Sequence, residues 1–183
     1  RIAVLGDIGS GKSYVAKQFG YPVFNADIEV AKLYKKNKKC FKKLNKSFPQ
    51  YIKSFPIKKN ELFKVILDKK NNIKKINKIV HPEVRSIMNK FINKNKRKKA
   101  IILDIPLLLE QKLNSKNDIL IFVDSKKKEI NKRIEKRKNY NKKIFNKLKK
   151  LQLPLETKRK KSHFILKNNF KPLSVKKNVK IIK

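Results

Sequence analysis

Cysteine is nearly absent: Cys40 stands alone among 183 residues. One thiol excludes a disulfide framework and a cysteine-built metal cluster. It suits a reducing compartment, and a cytoplasmic location is expected. Long apolar runs are missing too. None approaches the roughly 18 residues of a membrane-crossing helix, so no membrane insertion is expected. No signal peptide is expected either, because the first residues enter an apolar strand at once. With Arg1 rather than Met at the start, that strand is expected to lack a residue or more. Acidic residues are scarce, with 13 Asp+Glu against 52 Lys+Arg and a formal net charge of +39. Such an excess fits a polyanionic partner. It equally fits a compositional bias acting on every exposed position, since most of it is lysine spread along the chain with Asn and Ile. Nothing resembles a lone basic tail or an aromatic-interleaved reader, so no specific nucleic-acid partner is expected.

Glycine is rare as well, with four in the chain, and three of them gather in one turn. Gly6-Asp7-Ile8-Gly9-Ser10-Gly11-Lys12-Ser13 fits G-x-x-x-x-G-K-[ST]. The apolar run Ile2–Leu5 before it reads as a buried strand. Tyr14–Phe19 after it reads as a helix that Gly20 stops. In that context the glycines let successive backbone N–H groups curl round a phosphate, and the helix start adds its dipole. Ile8, Gly9, Ser10, Gly11, Lys12 and Ser13 are the candidate nucleotide-binding residues. Lys12 would reach the β- and γ-phosphates, and the Ser13 hydroxyl would ligate Mg²⁺.

Pro22-Val23-Phe24 reads as a second strand, delivering Asn25-Ala26-Asp27 at its carboxyl end, where open α/β sheets bind ligands. Asp27 could orient an attacking hydroxyl or accept its proton. It could equally cap the helix expected from Ile28 to about Leu44. The stretch to about Lys96 is expected to be helical and broken at Pro49 and Pro56. Within it, His81-Pro82-Glu83-Val84-Arg85 would open a helix, with Pro82 in the first turn. Arg85 could fork onto phosphate, or be a solvated charge; His81 could equally be a capping or core histidine. Ala100–Asp104 reads as a strand ending in an acid, the form in which Asp104 holds Mg²⁺. Ile105–Glu110 follows it. Asp118–Asp124 is a fourth strand and Ser162–Leu166 a fifth, with a last helix from Val175 to Ile182. Between those strands, Arg133 and Arg137 are spaced to share one helix face of a basic flap that could close over triphosphate or simply be solvated.

Taken together, these pieces resemble the dephospho-coenzyme A kinase family. The resemblance is carried by Gly6–Ser13, Asn25-Ala26-Asp27, His81–Arg85, Asp104-Ile105-Pro106-Leu107-Leu108-Leu109-Glu110, the Arg133/Arg137 pair, Gln152 followed by Lys158, and Asn168. It spans Ile2 to Asn169. It implies an ATP-dependent phosphotransferase that phosphorylates the ribose 3′-hydroxyl of dephospho-coenzyme A, the last step of coenzyme A synthesis, with Mg²⁺. It also implies an α/β fold, a three-layer P-loop NTPase core with a five-stranded parallel sheet, a helical acceptor-binding insertion and a lid. The core is expected at about 1–28, 97–125 and 158–183, the acceptor region at about 29–96 and the lid at about 126–157, all one kinase unit. By the same resemblance Asp27, Lys12 and Arg137 are catalytic. Arg133, Arg137 and Asn168 bind the nucleotide, with Asn168 near the adenine. Asp27, His81, Arg85 and Glu110 bind the acceptor, and Ser13 and Asp104 hold the metal. A monomer is expected, with higher assembly left open. Leu5, Asp7, Asn25 and Ser162-His163 depart from the family pattern. Asp7 is expected to point outward, and the role of a carboxylate at position 25 is expected to be lost. The rival readings are a kinase of another small acceptor and a nucleic-acid-binding protein with a vestigial phosphate loop.

Overall fold

β-branched and aliphatic runs set the strands. A computed structural model of the chain describes residues 1–69, 71–137 and 140–183. Position 70, in the expected acceptor region, and positions 138–139, in the expected lid, lie outside the described residues. The chain divides into two compact units, Arg1–Asn25 with Asn95–Lys183, and Ala26–Lys94.

The first unit holds β1 (Ile2–Gly6), α1 (Lys12–Gln18) and β2 (Val23–Asn25). Its later part holds β3 (Ile102–Asp104), β4 (Ile119–Asp124) and β5 (Phe164–Lys167). All strand pairs are parallel, in the order β2-β3-β1-β4-β5. This is the expected five-stranded α/β sheet. Its central strands are apolar along their length, as parallel strands covered on both faces are. One face packs Val4, Ile102, Ile121, Val123 and Leu166 against Val15 and Ala16 of α1, Phe19 at its end, and Val175 and Val179 of the closing helix. The carboxyl ends of β1, β2, β3 and β4 fall at Gly6, Asn25, Asp104 and Asp124, so the parallel register gathers the chemistry-bearing residues at one sheet edge.

The second unit is helical, with α2 (Ala26–Lys36), α3 (Lys38–Ser47), α4 (Lys59–Asp68) and α5 (Asn72–Lys94). α5 is its spine: Ile73, Ile76, Val80, Val84 and Met88 recur every three or four residues and are buried. Two expectations are corrected here. The helix expected from Ile28 to about Leu44 breaks at Asn37, whose side chain accepts the Cys40 N–H at 2.8 Å and starts α3 afresh. Pro82 does not open a helix but lies inside α5. A proline there removes a helical N–H and costs about 3 kcal/mol. The buried stripe on both sides of it holds the helix together.

The rest of the first unit is α6 (Lys127–Glu135), α7 (Lys142–Lys149), α8 (Leu155–Lys160) and α9 (Pro172–Ile182). α8 packs on β1 and α9 on β5 and α1. Among the described residues no helix is long and apolar enough to cross a membrane.

Candidate active site

The loop between β1 and α1 is shaped by close approach. Gly9 (φ +85°) and Gly11 (φ +87°) hold left-handed backbone. A Cβ on Gly9 would meet the Ile134 side chain of α6 at 2.8 Å. A Cβ on Gly11 would collide with Asn168 Nδ2, whose displacement would break its bond to the Ser10 carbonyl. Gly11 is also the N-cap of α1 and supplies no side chain to the first-turn N–H groups, which leaves that helix end suited to an anion.

Two strand ends clamp the loop from outside. The buried Ser10 carbonyl accepts Asn168 Nδ2 at 2.8 Å from the end of β5 and Ser125 Oγ at 3.0 Å from the end of β4. Asn168 is itself buried. Lys12, 8% exposed, donates to the Asp7 carbonyl at 2.6 Å and the Gly6 carbonyl at 3.3 Å, so its ammonium lies along the loop. Asp7 does not simply project outward: Oδ1 accepts the Ile8 N–H at 2.7 Å. One loop amide is therefore engaged by a side chain of the loop itself.

Asn25 and Asp104 are register partners on β2 and β3. The Asn25 amide donates to Asp104 Oδ2 and lies 3.4 Å from Ser13 Oγ. Asp104 is 2% exposed. Thus Asn25, expected only to have lost a carboxylate, joins both candidate metal ligands. A carboxylate at 25 would face Asp104 with like charge, whereas an amide offers a donor.

The remaining candidates divide between the units. Asp27 is the second residue of α2, within its first turn rather than before it, so it is not that helix's cap; its charge suits the positive helix end. His81 and Arg85 lie one turn apart on α5 and, with Ser86, Asn89 and Lys90, line a recess of about 520 Å³ on the helical unit. Glu83 ties α5 to α3 through Lys43 at 3.6 Å.

Arg133 and Arg137 do not share a helix face. α6 ends at Glu135, and Arg137 follows the Lys136 cap, donating its N–H to the Ile134 carbonyl at 3.1 Å. Like charges at i, i+4, with Lys132 beside Lys136 and Arg133 beside Arg137, disfavour another turn. Arg133 instead reaches the turn after β5, with Cζ 4.4 Å from the Phe170 ring centroid.

Glu110, expected in the acceptor half, is engaged inside the sheet unit. Its Oε1 accepts Lys158 Nζ at 2.7 Å and the Leu153 N–H at 2.9 Å, while Lys158 is 1% exposed. Glu110 Oε2 is buried with no partner among the described residues. The carboxylate holds α8 and its approach segment to the turn after β3. Phe170, Ser125 and the Asn25 amide are the site residues that sequence reasoning missed. For Phe170 a signal was present, an aromatic residue between Asn168-Asn169 and the Lys171-Pro172 helix start.

The comparisons with known proteins converge on one family. The dephospho-CoA kinase family model matches residues 1–172. A dephospho-CoA kinase of Wolbachia pipientis wMel is 36% identical over 170 residues, covering 90% of this chain and 87% of the relative. One of Bacillus cereus is 30% identical over 190 residues, covering 99% and 94%. Among solved structures, TT1252 from Thermus thermophilus superimposes with a TM-score of 0.76 at 27% identity, covering 99% of this chain and 94% of that one. The dephospho-CoA kinase of Campylobacter jejuni shares the fold at a TM-score of 0.65 and 23% identity, with the same coverage. With the match running through the phosphate loop, the strand-end acids and the turn after β5, the chain belongs to the dephospho-CoA kinase family.

Proposed function

We propose that the chain transfers the γ-phosphoryl group of ATP to the ribose 3′-hydroxyl of dephospho-CoA, releasing CoA and ADP, with the following division of roles. The Gly6–Ser13 loop holds the β- and γ-phosphates through its backbone N–H groups, and Lys12 swings from the loop carbonyls onto their oxygens. Transfer of this kind needs alignment and charge neutralisation more than covalent help.

The observation that carries the reading is the cluster of Ser13, Asn25 and Asp104 beside the phosphate loop. One buried carboxylate, one hydroxyl and neighbouring phosphate oxygens are the donor set Mg²⁺ takes, because it keeps several waters and seldom uses an all-protein cage. Ser13 and Asp104 would hold the ion, and Asn25 would keep the Asp104 carboxylate turned toward Ser13. Bound there, Mg²⁺ would offset charge on the phosphate oxygens.

Asp27 orients the acceptor hydroxyl and takes its proton as the new O–P bond forms and the bond to ADP breaks. Arg137, exposed beyond α6, acts from the 126–157 lid segment on the charge of the transferring group. His81 and Arg85, at their recess on α5, bind the anionic part of the acceptor. A cytoplasmic setting suits the single thiol and the ATP substrate.

The experiment is ADP release from Mg-ATP at moderate salt, with and without dephospho-CoA. Release that depends on this acceptor is expected. Acceptor-independent release, or release with a different small alcohol only, would overturn the acceptor assignment.

A further inference from the structure

Asp7 is the one acid in the Gly6–Ser13 motif, and it is the departure from the family pattern that falls inside that motif. It engages two of the groups that the loop would offer to a phosphate. Its Oδ1 accepts the Ile8 N–H at 2.7 Å, and its carbonyl accepts Lys12 Nζ at 2.6 Å. A backbone N–H points at its acceptor, so the carboxylate lies on the side toward which the Ile8 amide is directed. A carboxylate oxygen there has the charge and the acceptor character of a phosphate oxygen. The rest of the molecule pulls the other way. With 52 Lys+Arg against 13 Asp+Glu, its field draws in any polyphosphate, with or without a metal. Discrimination between those ligands has to come from a charge close to where they bind.

We propose that Asp7 is a specificity-determining residue of the loop: its carboxylate makes the site selective for a triphosphate whose charge Mg²⁺ has partly offset, over metal-free polyphosphates. This deepens the phosphate-loop reading and rests on it. When a phosphate oxygen takes the Ile8 N–H, the carboxylate turns aside. An aspartate side chain is short, so its charge stays well within the Debye length of about 8 Å, where salt screens little. Metal-free ATP brings about four negative charges and Mg-ATP about two, so the Coulomb repulsion is about twice as large for the first. Doubling a free energy squares the factor in affinity. A penalty of about threefold on Mg-ATP therefore becomes about tenfold on metal-free ATP.

The test titrates wild type, Asp7→Asn and Asp7→Ala by calorimetry, at one moderate salt concentration, with Mg-ATP and with ATP in EDTA. Asparagine keeps an acceptor for the Ile8 N–H and removes the charge; alanine removes both. Asp7→Asn is expected to tighten metal-free ATP about tenfold and Mg-ATP about threefold, which narrows the wild-type preference for Mg-ATP. Asp7→Ala is expected to narrow it by the same ratio, with both ligands gaining a further equal factor from the released amide. Equal tightening of both ligands by Asp7→Asn would mean that the side chain weakens the loop without reading the ligand's charge, and would overturn the inference. So would tightening in Asp7→Ala alone, or affinities that neither variant changes. Wild type that binds metal-free ATP as well as Mg-ATP would overturn this inference and leave the nucleotide reading standing. Wild type that binds neither would overturn both.

Discussion

The sheet unit and the helical unit hold their candidate residues in opposite ways. In the sheet unit, several are fixed by partners far along the chain. Ser10 is clamped by Ser125 and Asn168, Asn25 reaches Asp104, and Glu110 is paired with Lys158. In the helical unit, His81 and Arg85 project from a helix whose other face carries the core stripe. The physical consequence is that substitutions in the first unit disturb geometry and stability together. On the exposed face of α5 they should touch binding alone. Four measurements put that contrast to the test.

The largest effect is expected at Asp27, which belongs to the helical unit yet is assigned to the chemical step. Asp27→Asn keeps the size of the side chain and removes its basicity. Turnover should fall about 10³-fold, in the range general-base contributions span, with Mg-ATP affinity nearly unchanged. Near-normal single-turnover rates in rapid quench would take Asp27 out of the reaction and leave the helical unit with binding residues only.

Next is Glu110. Glu110→Ala leaves a buried Lys158 ammonium without its carboxylate, a loss that typically costs about 3–5 kcal/mol. The replacement of both partners, Glu110→Leu with Lys158→Met, should recover most of that. Urea midpoints measured on the three proteins decide it. A Glu110→Ala protein as stable as wild type, but with a raised KM for the acceptor, would return Glu110 to the acceptor side, where the motif first placed it.

The contrast also explains what could be read in advance. The phosphate loop was legible because its chemistry needs adjacent residues, so the motif and its flanking strand and helix are contiguous. The five parallel strands were legible from apolar runs ending in polar residues. What depends on partners distant in sequence was not. The pairing of Glu110 with Lys158 and the Leu153 N–H was hidden because both partners lie more than forty residues further along the chain. The Arg133/Arg137 pair looked like one face because spacing does not reveal where α6 stops. Pro82 looked like a helix start because a burial stripe strong enough to carry a proline is a tertiary fact. Asn25 looked like a lost acid because its donor role exists only in register with Asp104.

Arg85 tests the other side of the contrast with a smaller effect. Arg85→Ala should leave the unfolding midpoint unchanged and raise the KM for dephospho-CoA about tenfold, the worth of one charge-assisted contact at a partly exposed site. The KM for ATP should stay where it is. Equal rises for both substrates, or a lowered midpoint, would mean that the recess on α5 is not the acceptor's.

The smallest effect belongs to Glu61, in the first turn of α4, and it separates stability of the helical unit from chemistry altogether. Burial would raise its carboxyl, but the Lys53, Lys58 and Ser54 N–H groups and the Ser54 hydroxyl outweigh that and hold it below the usual carboxylate range. A carboxyl depressed in the folded state stabilises fully above its unfolded value of about 4.3, and the contribution is lost as pH falls through the folded value. Glu61→Gln should therefore cost a few tenths of a kcal/mol at pH 7, screened by solvent at this partly exposed position, and the cost should shrink steadily as pH falls below the unfolded value. Kinase activity at neutral pH should be unaffected at temperatures below the transition. A stability difference that stays constant from neutral to acid pH would show that Glu61 acts through packing, since its charge would then make no contribution to the fold of this unit.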